Sequence, residues 1–108
     1  MKGTMHVTDY YGNKIKVYPL VASYYNQNLA IRLWTDEGEP WTTLTVNLDV
    51  NLCDELGEEY AFVDVNNFPE AEEFIAKYGI GESMNAYKTS GYVRYPLYKF
   101  DLKKLKEY

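Results

Sequence analysis

The sequence predicts an α+β domain: an antiparallel sheet of five to six strands that begins as an N-terminal meander, with one main helix at about 67–78 packed on one face and a short C-terminal helix. Three observations point there. Apolar and polar residues alternate with period two through the first half of the chain. The period changes to that of a helix once, after residue 66. The 108 residues are 46% hydrophobic and 25% charged, the make-up of a single globular domain spanning 1–108 with one core.

The elements follow in order. Residues 4–9 form a strand with Met5 and Val7 inward, and Gly12-Asn13 supplies turn chemistry because both tolerate positive φ. Ile15, Val17, Pro19 and Val21 alternate with Lys14, Lys16 and Tyr18 in a second strand; Pro19 cannot donate to a ladder, so the strand is an edge there or bulged. After the turn Asn26-Gln27-Asn28, Leu29, Ile31 and Leu33 mark a third strand. The loop 36–40 leads to a fourth at 43–48, rich in β-branched residues. Residues 49–59 are acidic and irregular, and 60–65 form a short strand. Asn66-Asn67 and Pro69 open the helix, Ala71, Phe74, Ile75 and Tyr78 give it one apolar face, and Gly79 stops it in the left-handed conformation with Ile80 closing the contact. Residues 81–91 read as a long polar loop. Tyr92 to Phe100 is a last strand, broken or bulged at Pro96, and Asp101 caps a short helix carrying Leu102, Leu105 and Tyr108.

Charge is unevenly laid along the chain. Residues 36–73 hold twelve acids and no Lys or Arg, whereas residues 1–35 hold four cations against one acid and residues 74–108 seven against three. The net charge of −5 and the long acidic middle argue against direct binding of nucleic acid, because they repel phosphate. One cysteine, Cys53, cannot staple a secreted mini-domain, the N-terminal stretch has no signal-peptide pattern, and apolar runs fall short of the about 20 residues that span a bilayer. A cytoplasmic protein with no membrane partner is expected.

Groups for bond-making chemistry are sparse. One histidine and one cysteine cannot supply the four N/S ligands of a structural zinc site, so no metal and no cofactor is expected. His6 falls on the polar face of its strand. Cys53 stands beside Asp54 and Glu55, surroundings that work against thiolate chemistry. From Asp49 a calcium-loop pattern begins, but Cys53, Asp54 and Tyr60 occupy the positions of the third ligand, the glycine and the closing Glu. Gly79-Ile80-Gly81 follows a helix, whereas a phosphate loop precedes one.

What remains is a binding surface. Among twelve tyrosines, Tyr10-Tyr11 and Tyr24-Tyr25 sit in turns, and adjacent turn residues cannot both point inward. Tyrosine gives contact area at low entropic cost. The acids Asp36, Glu37, Glu39, Asp54, Glu55, Glu58 and Glu59 are the matching polar contacts. Carboxylates two residues apart on a strand stand about 6.6 Å apart, near the about 6.8 Å of two nucleotide rises, so an acidic face could mimic nucleic acid in a basic groove. The alternative is an enzymatic or small-ligand module built on the 81–91 loop, with Ser83, Lys88, Ser90, Tyr92 and Arg94 as its polar groups. A third possibility is a homodimer through an exposed sheet edge; monomer and homodimer both stay open.

Four stretches carry a resemblance: Thr8-Asp9-Tyr10-Tyr11-Gly12-Asn13; Leu44-Thr45-Val46-Asn47-Leu48; Phe62-Val63-Asp64-Val65-Asn66-Asn67 with Ala71-Glu72-Glu73-Phe74-Ile75; and Ser90-Gly91-Tyr92 with Tyr95-Pro96-Leu97-Tyr98. Together they resemble an uncharacterised family of small domains carried on conjugative and phage-like elements of gut bacteria. The resemblance implies a non-enzymatic accessory factor of a mobile genetic element. Such a factor binds a protein partner, for example a basic nucleic-acid-binding protein or a host nuclease, CRISPR or restriction protein that it inhibits stoichiometrically, or it acts as a sponge for a nucleotide signal. No catalytic residue follows from it.

Overall fold

The computed structural model describes residues 3–108. Strands Met5–Thr8 (β1), Lys14–Ser23 (β2), Leu29–Thr35 (β3) and Pro40–Thr43 (β4) form a first antiparallel sheet in the order β1-β2-β3-β4. Strands Thr45–Val46 (β5), Tyr60–Val63 (β6), Gly81–Ser90 (β7) and Val93–Phe100 (β8) form a second, ordered β5-β6-β8-β7. The helices are short: Leu52–Glu55 (α1), Ala71–Tyr78 (α2) and Leu102–Leu105 (α3). The expected single sheet of five to six strands is thus corrected to two sheets of four.

Two local causes account for the difference. The run 43–48, expected as one strand, is broken at Leu44. Leu44 N donates to Ile31 O at 2.8 Å, but Ile31 N donates to the side-chain Oγ1 of Thr45 at 3.1 Å, where a continued ladder would use a backbone oxygen. The chain crosses there from one sheet to the other, and Leu44 O accepts from Asp64 N at the end of β6. The second cause is the segment 81–91, which is not a loop. Gly81–Ser90 pairs along β8, with a register shift between Ser83 and Tyr87. Almost every side chain of β7 is exposed, so neither face leaves an apolar period in the sequence.

The main helix is shorter than the predicted 67–78. Buried Asp64 holds the chain first: its carboxylate accepts from Asn67 N at 3.1 Å and Asn67 Nδ2 at 2.9 Å, closing a separate turn ahead of Pro69. The helix then begins at Ala71, after Glu70, whose side chain makes no capping bond. Its end is as expected, with Gly79 at φ +62° and Ile80 fully buried. Asp101 caps α3 by accepting from Lys104 N at 3.0 Å.

Pro19 decides where β1 stops. Asp9 N donates to Asn13 O and Tyr24 N to Asn28 O. Bonded pairs alternate along antiparallel ladders, so odd residues of β2 bond toward β1 and even ones toward β3. Beyond Met5 and Val17, the next bonded pair would be Gly3 with Pro19. Pro19 has no N–H, and Gly3 N donates instead to Glu107 O at 2.8 Å. Among the described residues none pairs with this side of residues 19–23. The other edge of β1 is covered by α2: Tyr78 Oη accepts from His6 N at 2.7 Å and donates to His6 O at 3.3 Å.

The main core joins both sheets and α2, through Met5, Val17, Ile31, Leu33, Leu44, Val63, Phe74, Ile75 and Phe100. A smaller cluster of Leu52, Phe62, Tyr95 and Leu97 seats α1 on the opposite face of the second sheet. Pro96 lies in β8 without breaking it: the last pair with β6 is Phe62–Leu97, and on the other side the β7 register shift falls beside it.

Candidate functional site

The turn between β1 and β2 is built by Asp9. Its Oδ1 accepts from Tyr11 N at 2.9 Å and Asn13 N at 2.8 Å, and Gly12 takes φ +84°. Tyr10 and Tyr11 are thrust into solvent, 96% and 84% exposed, with their rings edge to face at 5.5 Å. The turn between β3 and β4 uses the same device: Thr35 Oγ1 accepts from Glu37 N and Glu39 N, both at 3.3 Å, leaving Asp36, Glu37 and Glu39 exposed. Val17 pairs with both Met5 and Thr35, so these two turns project from the same end of the first sheet.

The second pair of tyrosines divides. Tyr25 is 93% exposed. Tyr24 is half-buried, its hydroxyl 3.2 Å from both Thr45 O and Thr45 Oγ1, so it braces the junction between the sheets and offers little to a partner. Beside it Asn28, 4% exposed, donates to Asn47 Oδ1 and Val50 O and accepts from Cys53 N, tying α1 to the start of β3. Asp54 and Glu55 therefore lie near Tyr25, at the end of the sheet opposite to Asp36, Glu37 and Glu39. Asp54 also exchanges bonds with Asn51, the residue that caps α1. The acids contiguous in sequence thus form two groups, separated by the length of β3, about 20 Å. Glu58 is exposed, and Glu59 lines a third place.

That place is an open cleft of about 530 Å³ lined by Glu59, Gly81, Glu82, Lys99, Asp101 and Lys103 among others. A smaller one of about 320 Å³ lies between β1 and α2, lined by His6, Asp9, Glu70, Glu73, Lys77 and their neighbours. Among the described residues no group of three or more His, Cys, Asp or Glu is placed to hold a metal ion.

The residues of the alternative ligand site do not converge. Pairing places Lys88 opposite Tyr95 and Ser90 opposite Val93 on one face of the β7–β8 hairpin, and Ser83 opposite Tyr98 on the other. Arg94 is on that second face, its guanidinium 4.3 Å from the centre of the Tyr87 ring. Tyr92 is fully exposed in the turn. None of the five lines either cleft. Sequence reading also passed over Tyr18 and Leu20, exposed on β2. The signal was available in the run Lys14, Lys16, Tyr18, Leu20, which alternates with the inward residues.

The arrangement defines a small two-sheet domain with rigid turns that present aromatic and acidic side chains. The chain belongs to the family described as a domain of unknown function, DUF4313, whose model matches residues 19–108. No curated protein and no solved structure matches it. No helix among the described residues is long and apolar enough to cross a membrane.

Proposed function

We propose that this domain is a non-enzymatic binding protein, an accessory factor of a mobile genetic element that blocks a host defence protein by stoichiometric docking. The observation that carries this reading is the end of the first sheet where Tyr10 and Tyr11 stand in solvent beside the turn of Asp36, Glu37 and Glu39. Exposed aromatics on turns already fixed by side-chain hydrogen bonds lose little entropy when they dock. The acids favour a basic partner surface and speed its approach. Tyr25 with Asp54 and Glu55 forms a second, smaller contact region. The two acidic groups are too far apart for a single phosphate-like face, so the docking of one end is favoured over mimicry of a long nucleic acid.

The test is affinity capture from the natural host with the whole chain, followed by mass measurement of the purified complex. A specific protein bound at a fixed ratio, and lost with Tyr10→Ser and Tyr11→Ser together, is the expected result. Capture unchanged by that double variant, or a turnover reaction abolished by one substitution in a folded chain, would overturn the reading.

A further inference from the structure

The outward face of the first sheet inverts the charge of the molecule. Strands β1 to β4 contain no Asp or Glu, but they do contain Lys14, Lys16, Arg32 and His6. Met5, Val7, Val17, Ile31 and Leu33 point into the core, so their alternating neighbours point out. Register then fixes the open part of the outer face: His6 opposite Lys16, Tyr18 opposite Trp34, Leu20 opposite Arg32; at the next level Ala22 is exposed but its partner Ala30 is fully buried. A cross-strand aromatic pair is thus flanked along the strands by lysines on one side and an arginine on the other. Lys14, Lys16 and Arg32 are exposed, Tyr18 is 38% and Leu20 45% exposed, and Trp34 is half-buried, its indole N–H buried without a partner among the described residues. Among the described residues the ion pair found is Lys104 with Glu107, so these three cations have no carboxylate partner.

We infer that this face binds single-stranded DNA, with bases stacked on Tyr18 and Trp34 and phosphates held by Lys14, Lys16 and Arg32. Cations bordering aromatic faces are what an unpaired strand requires, since every base has a π-face and every linkage a charge. From Lys14 to the level of Arg32 the track is about 20 Å long. Duplex fits poorly, because its bases are already stacked and the face is sheet-shaped, not a helix for the major groove. DNA is favoured over RNA by the apolar remainder of the face: Leu20 and Ala22 suit a thymine methyl group. The acids that argued against nucleic acid lie outside these four strands, the turn of Asp36, Glu37 and Glu39 bordering the face at its Lys16 end. The inference goes beyond the proposed docking function and uses none of its residues.

The experiment is fluorescence anisotropy of a labelled oligodeoxythymidylate titrated with the whole chain over a range of salt. Saturable binding is expected, with log K falling against log salt at a slope of about −2, from about −0.7 for each of three phosphate contacts. Lys16→Gln and Arg32→Gln should each reduce that slope by about 0.7. Tyr18→Ser, on an exposed side chain, should weaken binding by roughly tenfold or more with thermal stability kept. Lys103→Gln with Lys106→Gln, in and beside α3, should change nothing. Absence of saturable binding at low salt overturns the inference, as does binding that survives all three face substitutions or is lost with the α3 pair. Equal affinity for duplex or for oligouridylate overturns the assignment to single-stranded DNA, and so does competition by an acidic protein in place of the oligonucleotide.

Discussion

Single side chains do unusual structural duty in this protein. Thr45 replaces a backbone acceptor for Ile31 N, and Asn28 satisfies three groups of the segment that seats α1. Each keeps a buried polar atom paired where the ladder cannot. Tyr98 does so across elements: nearly buried, it donates to Glu72 Oε1 at 2.8 Å and ties β8 to α2. Burial pushes its phenol well above the usual range, and the adjacent Glu72 carboxylate pushes in the same direction. The folded state therefore keeps this proton where the unfolded chain, near the ordinary value of about 10, gives it up. The stabilisation is complete below that value and is lost as pH rises beyond it, because the unfolded state then binds fewer protons than the folded one. Tyr98→Phe is expected to cost about 1 kcal/mol at neutral pH, a figure kept low because Glu72 stands in water. It should also flatten the decline of stability above about pH 10. Denaturant unfolding of both chains across that range measures it, and parallel declines would refute the assignment.

Elements were legible where one residue type has one use. Gly79 followed by Ile80 fixed the end of α2, Asp101 the start of α3, and strict alternation around Val17 and Ile31 the strands of the first sheet. The start of α2 was obscured because Asp64, read as part of a strand, captures Asn67 in a turn of its own. The strand Gly81–Ser90 was hidden because an edge hairpin exposed on both faces has no buried period to display. Pro19 marks an edge already in the sequence, and its position explains more than that. With β1 ended, the outward N–H and C=O groups of Val21 and Ser23 have no partner among the described residues, and Pro19 withholds the donor that would extend that row. Pro19→Val restores it. The variant should stay within about 1 kcal/mol of the parent in stability. In sedimentation at matched concentrations it should show a larger average mass than the parent. Identical masses across the concentration range would mean that proline is not what guards this edge.

For the whole molecule, sequence order was a poor guide to the candidate site. The twelve acids of residues 36–73 look continuous, yet β4 and β5 carry the chain back between them, leaving Asp36, Glu37 and Glu39 at one end and Asp54 and Glu55 at the other. Pairing also divides Ser83 and Arg94 from Lys88 and Ser90 by placing them on opposite faces of a hairpin. What unites the molecule is the core between the sheets, and Ile31 is at its junction: fully buried, with its O accepting from Leu44 N and its N donating to Thr45 Oγ1. Two sheets that share one core should unfold as one unit. The two tryptophans, Trp34 and Trp41, both lie in the first sheet, so their fluorescence follows that sheet while far-ultraviolet circular dichroism follows both. The two signals are expected to change at one denaturant midpoint. Ile31→Ala should lower stability by about 2–5 kcal/mol and move both midpoints together, because the cavity opens where the sheets meet. Fluorescence that changes ahead of the circular dichroism, in the parent or in this variant, would mean that the first sheet melts alone and that the junction at Leu44 and Thr45 joins two separately stable halves.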